Sequence, residues 1–349
     1  MSSSKPGTTA VVILNYNGRE HLRTFLPSVI QHRPPNGQIY VADNGSTDDS
    51  QALLAADFPE VRILPLGQNW GFAEGYNRAL AGLAEEFVVL LNSDVEVSAN
   101  WLAPILAAMR EDDSIGAAQP KILAHRDKSS FEYAGAAGGW IDRHGYPFCR
   151  GRIFDHLEKD EGQYDDPQEV FWASGCALVI RGALYRQIGG LDGDYFAHME
   201  EIDLCWRIKK AGYRIVVFPQ SVVYHLGGGP LQYNSPNKAY LNFRNSLYTL
   251  FKNEEGAARW WRIFIRLFLD GVAGIRFVTQ GKFAHLLAIV RAHWTFFFRF
   301  GPLQQRREWE RQRMEAVRRG PARVRTGRYA GSILWTYFVR GIKTFKQLV

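Results

Sequence analysis

Nowhere in this chain does an uncharged apolar run approach the roughly 18 residues that a bilayer-crossing helix needs, so no segment reads as a membrane span. Cysteine is scarce. Cys149, Cys176 and Cys205 are odd in number and far apart, which argues against a disulfide framework and favours a reduced, cytosolic setting. No basic stretch followed by an apolar one opens the chain, so secretion is not expected. A glycine-rich phosphate loop is also missing. The first strand leads instead into "NYNG", which argues against a dinucleotide-binding dehydrogenase.

What is present is a 349-residue chain with 46% hydrophobic content, enough for one large core plus an extension. Its charge is uneven. Residues 244–349 hold 21 of the 42 Lys and Arg but only 6 of the 35 Asp and Glu, so a basic tail follows an acidic body. The isoelectric point near 9.3 invites a nucleic-acid reading, but no nucleic-acid fold signature accompanies it. Bulky apolar residues crowd into the same basic segment, and an anionic membrane surface suits both features.

In the first half, buried strands alternate with one-faced helices. "TTAVVILN" (8–15), "IYVAD" (39–43), "VRIL" (61–64) and "FVVLLN" (87–92) read as strands. Leu22, Phe25, Leu26, Val29 and Ile30 recur at helical spacing, with a bend expected at Pro27. Further helices are expected over 46–56, 71–86 and 98–110. Continuous apolar strands separated by helices predict an α/β fold, a Rossmann-like and mostly parallel sheet flanked by helices. Residues 123–168 show no clean period and read as loops and short strands.

In such sheets ligands bind beyond the carboxyl ends of the strands. Asn15-Tyr16-Asn17, Asp43-Asn44 and Asn92-Ser93-Asp94 all fall there, although each alone also suits a turn. A second concentration of polar groups is "HMEEIDLCWR" (198–207), with Glu200, Glu201 and Asp203 at the start of a helix. Acids in a first turn are favoured by the helix dipole, so capping explains one of them. Asp203 and Arg207, four apart, are expected to pair, with Ile202 and Trp206 packing the other side.

Taken in order, "VVILNYNG" (11–18), "VADNGSTDDS" (41–50), "NWGFAEGYN" (69–77), "LLNSDVEV" (90–97) and "SGCALVIRGALYRQIGGLDGDYFAHMEEIDLCWRIKKAGYRI" (174–215) resemble the motifs of inverting glycosyltransferase family 2. The likeness is to its rhamnosyltransferase-like branch and covers roughly residues 8–250. It implies a GT-A fold and a nucleoside-diphosphate sugar donor, dTDP-rhamnose or a UDP-sugar. A lipid-linked or other membrane-bound saccharide is the implied acceptor.

The resemblance also implies roles. Asp43 would face the pyrimidine ring and Tyr16 the base, with Asn15 and Asn17 beside them. Asn69, Gly71 and Asn77 would lie along the ribose and diphosphate, Gly71 and Gly75 admitting backbone close to the ligand or serving only helix packing. A divalent ion, Mg²⁺ or Mn²⁺, would neutralise the leaving diphosphate. Asp94 is its firm ligand and also touches the donor; Asn92, standing where the family has an acid, and Glu96 are weaker ones. His225 either adds an imidazole, which tilts the choice to Mn²⁺, or is structural. Inverting transfer needs a base for the acceptor hydroxyl. The family's second acid falls on Glu201, with Glu200 as its substitute and Asp203 in the same acidic motif.

The expected organisation is a catalytic domain over residues 1–250 and a basic, amphipathic helical extension over 251–349. "ARWWRIFIRLFLD" (258–270) and "HLLAIVRAHWTFFFRF" (285–300) suit the plane of a membrane interface, or else a lid or a homo-oligomer contact. Residues 306–328 read as a helix or a solvated arm, and 332–348 as a further amphipathic stretch. No nucleic-acid partner is expected. A peripheral place on the inner face of the cell membrane follows. "QQRREW" (304–309) departs from the Gln-x-x-Arg-Trp order of processive synthases. The rivals are a sugar-nucleotide enzyme of another class and a non-catalytic membrane adaptor, the latter suggested by Asn92.

Overall fold

The computed structural model describes residues 5–227 and 235–348. Four strands, β1 (Lys5–Asn15), β2 (Gly37–Asp43), β3 (Arg62–Pro65) and β4 (Glu85–Asn92), alternate with helices α1 (Arg19–Gln31), α2 (Ser50–Asp57) and α3 (Gly71–Leu80). They run parallel in the order β3-β2-β1-β4, as their apolar runs require. α1 continues through Pro27. α3 stops at Leu80, short of the expected residue 86, because Glu85 and Glu86 belong to β4 and Glu85 accepts a hydrogen bond from Tyr40 Oη at 2.9 Å.

The chain then forms β5 (Val95–Val97), α4 (Ala103–Glu111), β6 (Ile115–Ala124) and β7 (Asp127–Phe131). Short strands follow: β8 (Gly139–Asp142), β9 (Pro147–Cys149), β10 (Arg152–Ile153), β11 (His156–Leu157) and β12 (Gln168–Glu169). β13 (Ala177–Arg181), α5 (Gly182–Ile188), α6 (Glu200–Lys210) and β14 (Arg214–His225) complete the body. β13 is antiparallel between β4 and β6, and β14 lies beyond β6. The result is a mixed ten-stranded sheet with helices on its faces.

The C-terminal part consists of α7 (Pro236–Asn253), α8 (Ala258–Thr279), α9 (Phe283–Phe298), α10 (Phe300–Ala316), β15 (Arg328–Tyr329) and α11 (Ile333–Phe338). The boundary expected near residue 250 therefore falls inside α7. The tail is built into the body. β15 adds a fifth strand to the small sheet of β8 to β11, and Phe345 packs its ring against Trp140, Phe148 and Tyr164. Two buried carboxylates anchor it, Asp142 accepting from the Ile333 amide and Glu158 from the Phe345 amide, both at 2.9 Å. Residues 300–316 are helical, which resolves half of the expected helix-or-arm choice. Among the described residues no helix is long and apolar enough to cross a membrane.

Candidate active site

Parallel register places Asn15 beside Asp43 and Leu14 beside Asn92, so the strand ends do share one rim. Asn15 Nδ2 donates to Ser46 Oγ at 3.1 Å and lies 3.4 Å from Asp43 Oδ1, while Gln51 Nε2 donates to Asp43 Oδ2 at 2.6 Å. Both residues are buried, whereas Tyr16 is exposed above them and open to a ligand. Asn17 is otherwise engaged: its Oδ1 accepts from the Thr47 amide at 2.7 Å and shapes the following loop. Asn44, which the sequence marked only as part of the rim, is a central brace. Its Nδ2 donates to Asn69 Oδ1 and to the Gly71 carbonyl, and its Oδ1 accepts from the Trp70 amide.

Gly71 has φ of +75°, and a Cβ added there would meet the Phe196 ring at 2.5 Å. The space at Gly75 faces Leu14 and Asn44, so this glycine serves packing. Asn77 faces inward too. It accepts from Tyr185 Oη at 2.8 Å and the Leu191 amide at 3.0 Å, and donates to the Leu191 carbonyl, which clamps the loop after α5.

At the end of β4, Asp94 Oδ1 lies 3.2 Å from His225 Nε2, and Asn92 Nδ2 lies 3.4 Å from the same nitrogen. Antiparallel pairing of β5 with β14 brings His225 there, opposite Val95. Glu132 Oε2 stands 3.2 Å from His225 Nδ1, close enough for charge pairing with a protonated imidazole but outside hydrogen-bond geometry. Burial opposes charge on Asp94, but His225 outweighs it and holds the carboxyl below its usual range. Burial likewise opposes charge on His225, yet Cys176, Asp94 and Glu132 raise its pKa well above the ordinary imidazole value. Glu96 is drawn elsewhere, to Lys128 Nζ at 2.6 Å and His125 Nε2 at 3.1 Å. Among the described residues no three His, Cys, Asp or Glu side chains gather for a metal. One carboxylate and one imidazole do fit a divalent ion whose other ligands are diphosphate oxygens.

The acids at the head of α6 separate into two environments. Glu200 is buried and Glu201 half-buried, and each has an oxygen shielded from solvent without a hydrogen-bond partner. Burial pushes the Glu201 carboxyl up to about 7, and burial together with the Glu201 charge raises Glu200 well above its ordinary value. Neither acid caps the helix: Met199 occupies the N-cap position without a side-chain cap. Asp203 lies deeper, with its oxygens on Arg207 Nε at 3.0 Å and Asn253 Nδ2 at 2.7 Å. The expected Asp203–Arg207 pair is thus present, inside a buried charge cluster that also holds Asp192, Lys252 and Glu310.

The segment before Glu200 is strained, with positive φ at Phe196, His198 and Met199. Two devices hold it. Asn245 Nδ2 on α7 donates to the carbonyls of Tyr195, Ala197 and His198 at 3.1, 2.9 and 2.7 Å. The Phe196 carbonyl accepts the Phe72 and Ala73 amides at the start of α3, so this helix and the loop before Glu201 are tied to each other. Burial, with Lys238 nearby, pushes His198 down to about 4, leaving it neutral at pH 7. Sequence patterns did not single out Asn245; an asparagine in the middle of an amphipathic helix was the available signal.

The fold and this rim define a glycosyltransferase of GT-A architecture. The TarS protein of S. aureus in complex with UDP-GlcNAc superposes with a TM-score of 0.54 at 16% identity, covering 89% of each chain. A mannosyltransferase of Pyrobaculum calidifontis in complex with GDP-Man and Mn²⁺ gives 0.50 at 16% identity, covering 88% of this chain and 85% of that one. In sequence, the N-acetylglucosaminyl-diphospho-decaprenol L-rhamnosyltransferase of Mycobacterium tuberculosis is 28% identical over 284 residues, 76% of this chain and 90% of the relative. A low-salt glycan biosynthesis hexosyltransferase of Haloferax volcanii is 23% identical, covering 68% of this chain and 73% of its own. The family model for glycosyl transferase family 2 matches residues 10–188. The chain belongs to glycosyltransferase family 2, in its rhamnosyltransferase-like branch.

Proposed function

We infer that this protein is an inverting, metal-assisted glycosyltransferase that moves a sugar from a nucleoside diphosphate to a lipid-linked saccharide at the inner face of the cell membrane, in cell-surface polysaccharide assembly. The observation that carries the reading is Glu201. A carboxyl raised to about 7, with a shielded oxygen lacking a partner, heads a helix whose approach is clamped, and its Cβ lies beside Gly175, next to Cys176, whose carbonyl accepts the Asn92 amide at the end of β4. Glu201 takes the proton of the acceptor hydroxyl as that oxygen attacks the anomeric carbon, and the nucleoside diphosphate leaves from the opposite face. Asp94 and His225 would hold a divalent ion, which would supply positive charge to the diphosphate. Tyr16 covers the base, while Asn15, Asp43 and Asn69 shape its cleft.

The likeness to the M. tuberculosis rhamnosyltransferase supports dTDP-rhamnose as donor and a polyprenyl-diphospho-N-acetylglucosamine as acceptor. Membrane placement is supported by the tail, where Trp261, Phe264, Phe268, Trp294 and Phe298 are each more than 60% exposed. Incubation with dTDP-rhamnose, Mn²⁺ and that acceptor tests the reading. Equimolar release of nucleoside diphosphate and a product of inverted anomeric configuration are expected. Donor binding without turnover, on any nucleotide sugar offered, would leave the adaptor reading suggested by Asn92.

A further inference from the structure

The seam between α7 and α9 carries two guanidinium groups that share one aromatic ring. Arg244 on α7 and Arg291 on α9 lie 5.2 and 4.4 Å from the centre of the Tyr240 ring. The Tyr240 hydroxyl approaches Thr295 Oγ1 at 3.3 Å, which fixes the ring between the two helices. Among the described residues neither arginine has a carboxylate partner. Arg244 donates to the backbone carbonyls of Asp194 and Tyr195, and the Asp194 carboxylate is taken by Arg299 at 2.6 Å. Two solvent-reachable positive charges on one ring, with no carboxylate beside them, make a local patch that attracts anions. The phenol responds: burial raises the Tyr240 pKa, but Thr295 and the two arginines outweigh it and lower it.

The place of this pair matters. Arg244 is anchored on the loop that leads to Glu200 and Glu201, next to the Asn245 clamp. Arg291 is exposed on α9 and follows Val290, which with His293, Trp294 and Phe297 lines a groove on the same helix. One end of the seam therefore touches the base loop and the other opens on an apolar surface. A free phosphate would use only the charged end. A molecule with a sugar, a diphosphate and a hydrocarbon chain in that order matches the whole sequence of features.

We propose that Arg244 and Arg291 form the binding site for the diphosphate of a polyprenyl-diphosphate acceptor, with its hydrocarbon chain lying along the apolar face of α9. Two guanidinium groups give charge-assisted, planar contacts to phosphate oxygens, and Trp294 and Phe297 cover the first isoprene units. The proposal rests on the lipid-linked acceptor of the reading above. It is tested by binding alone, so an enzyme that fails to turn over and a site that fails to bind give different results.

Calorimetry with farnesyl diphosphate, farnesol and inorganic pyrophosphate decides it, in buffer without divalent cations, where the metal-dependent donor cleft does not take up a diphosphate. Farnesyl diphosphate should bind at least tenfold more tightly than either of the other two. Arg291→Gln should weaken that binding by roughly 10- to 100-fold, since a hydrogen bond to a charged group is lost. Arg291→Lys should recover part of it, and Arg244→Lys should weaken it while keeping the loop contact. Unchanged binding in Arg291→Gln overturns the assignment. Pyrophosphate binding as tightly as farnesyl diphosphate overturns the lipid half, and farnesol binding equally well overturns the anion half.

Discussion

Glu310 Oε1 on α10 lies 2.8 Å from Lys252 Nζ on α7, and the same ammonium reaches Asp192 at 2.6 Å and Asp203 at 3.1 Å. Asp203 in turn holds Arg207, whose guanidinium donates to the carbonyls of Ile188 and Gly190. A residue of the C-terminal extension thus completes the charge balance directly behind the helix that begins with Glu200 and Glu201. Glu310→Ala removes one of the three carboxylates around Lys252 in a site closed to water, leaving Asp192 and Asp203 to balance it, and should cost about 1.5–3 kcal/mol of unfolding free energy, the worth of one hydrogen bond to a charged group. Urea unfolding measures it. The double variant with Lys252→Met should lose less than the sum of the two single losses, because both remove one interaction. Additive losses would show that the two side chains are not coupled.

Glu201→Gln keeps shape but cannot accept a proton, and transfer should fall by roughly two to four orders of magnitude while donor binding persists. In the unaltered enzyme kcat/KM should rise with pH through about 7 as Glu201 ionises, and this limb should vanish in the variant. The sign for stability is opposite. With a folded-state pKa raised from 4.5 to about 7, the stabilisation from keeping this carboxyl neutral is complete below about 4.5 and lost as pH rises through about 7. The loss is on the order of 3 kcal/mol. Glu201→Gln should therefore exceed the unaltered protein in stability at pH 8 and match it near pH 4. A full loss of activity in Glu200→Gln with near-normal Glu201→Gln would move the base by one residue.

Both results bear on what the sequence could reveal. The parallel half of the sheet was legible because β1, β2 and β4 are apolar runs buried on both faces, and their polar ends mark the rim. The small sheet was not. Its strands are two to four residues long, too short for any period, and β15 arrives at β8 from almost two hundred residues away. Asn77 and Asn17 lie within motifs that resemble donor-binding segments, yet their amide groups brace loops; composition cannot separate an asparagine that holds a loop from one that holds a ribose. Lys252 and Glu310 illustrate the same limit, since a buried ion pair 58 positions apart leaves no mark in local pattern.

Asp94→Asn should abolish Mn²⁺-dependent donor binding, since among the described residues its carboxylate is the one that pairs with His225 Nε2. His225→Ala should weaken it, and Glu132→Gln should weaken it less, because Glu132 is near the imidazole without a hydrogen bond to it. Titration of UDP or dTDP with and without Mn²⁺ reads all three. Unchanged metal affinity in His225→Ala would assign the imidazole to joining β5, β14 and Glu132 and would leave Asp94 to act with substrate oxygens alone.

The exposed faces of α8 and α9 make the last prediction. Trp261, Phe264 and Phe268 follow one another at helical spacing, each 62–67% exposed, while Ile263, Arg266 and Asp270 turn inward. A fully withdrawn aromatic ring contributes about 1.5–3 kcal/mol, and each basic side chain at an anionic surface about 1 kcal/mol. The protein should float with vesicles containing phosphatidylglycerol, bind less as salt rises, and still resist complete release because the apolar part is unscreened. The combined change of Trp261, Phe264 and Phe268 to serine should weaken binding by at least 100-fold. It leaves the Glu310–Lys252 network untouched, which deletion of the tail would not. If the unaltered protein stays in solution as a dimer and the triple variant is a monomer, a second copy of the chain covers this face and the membrane assignment fails.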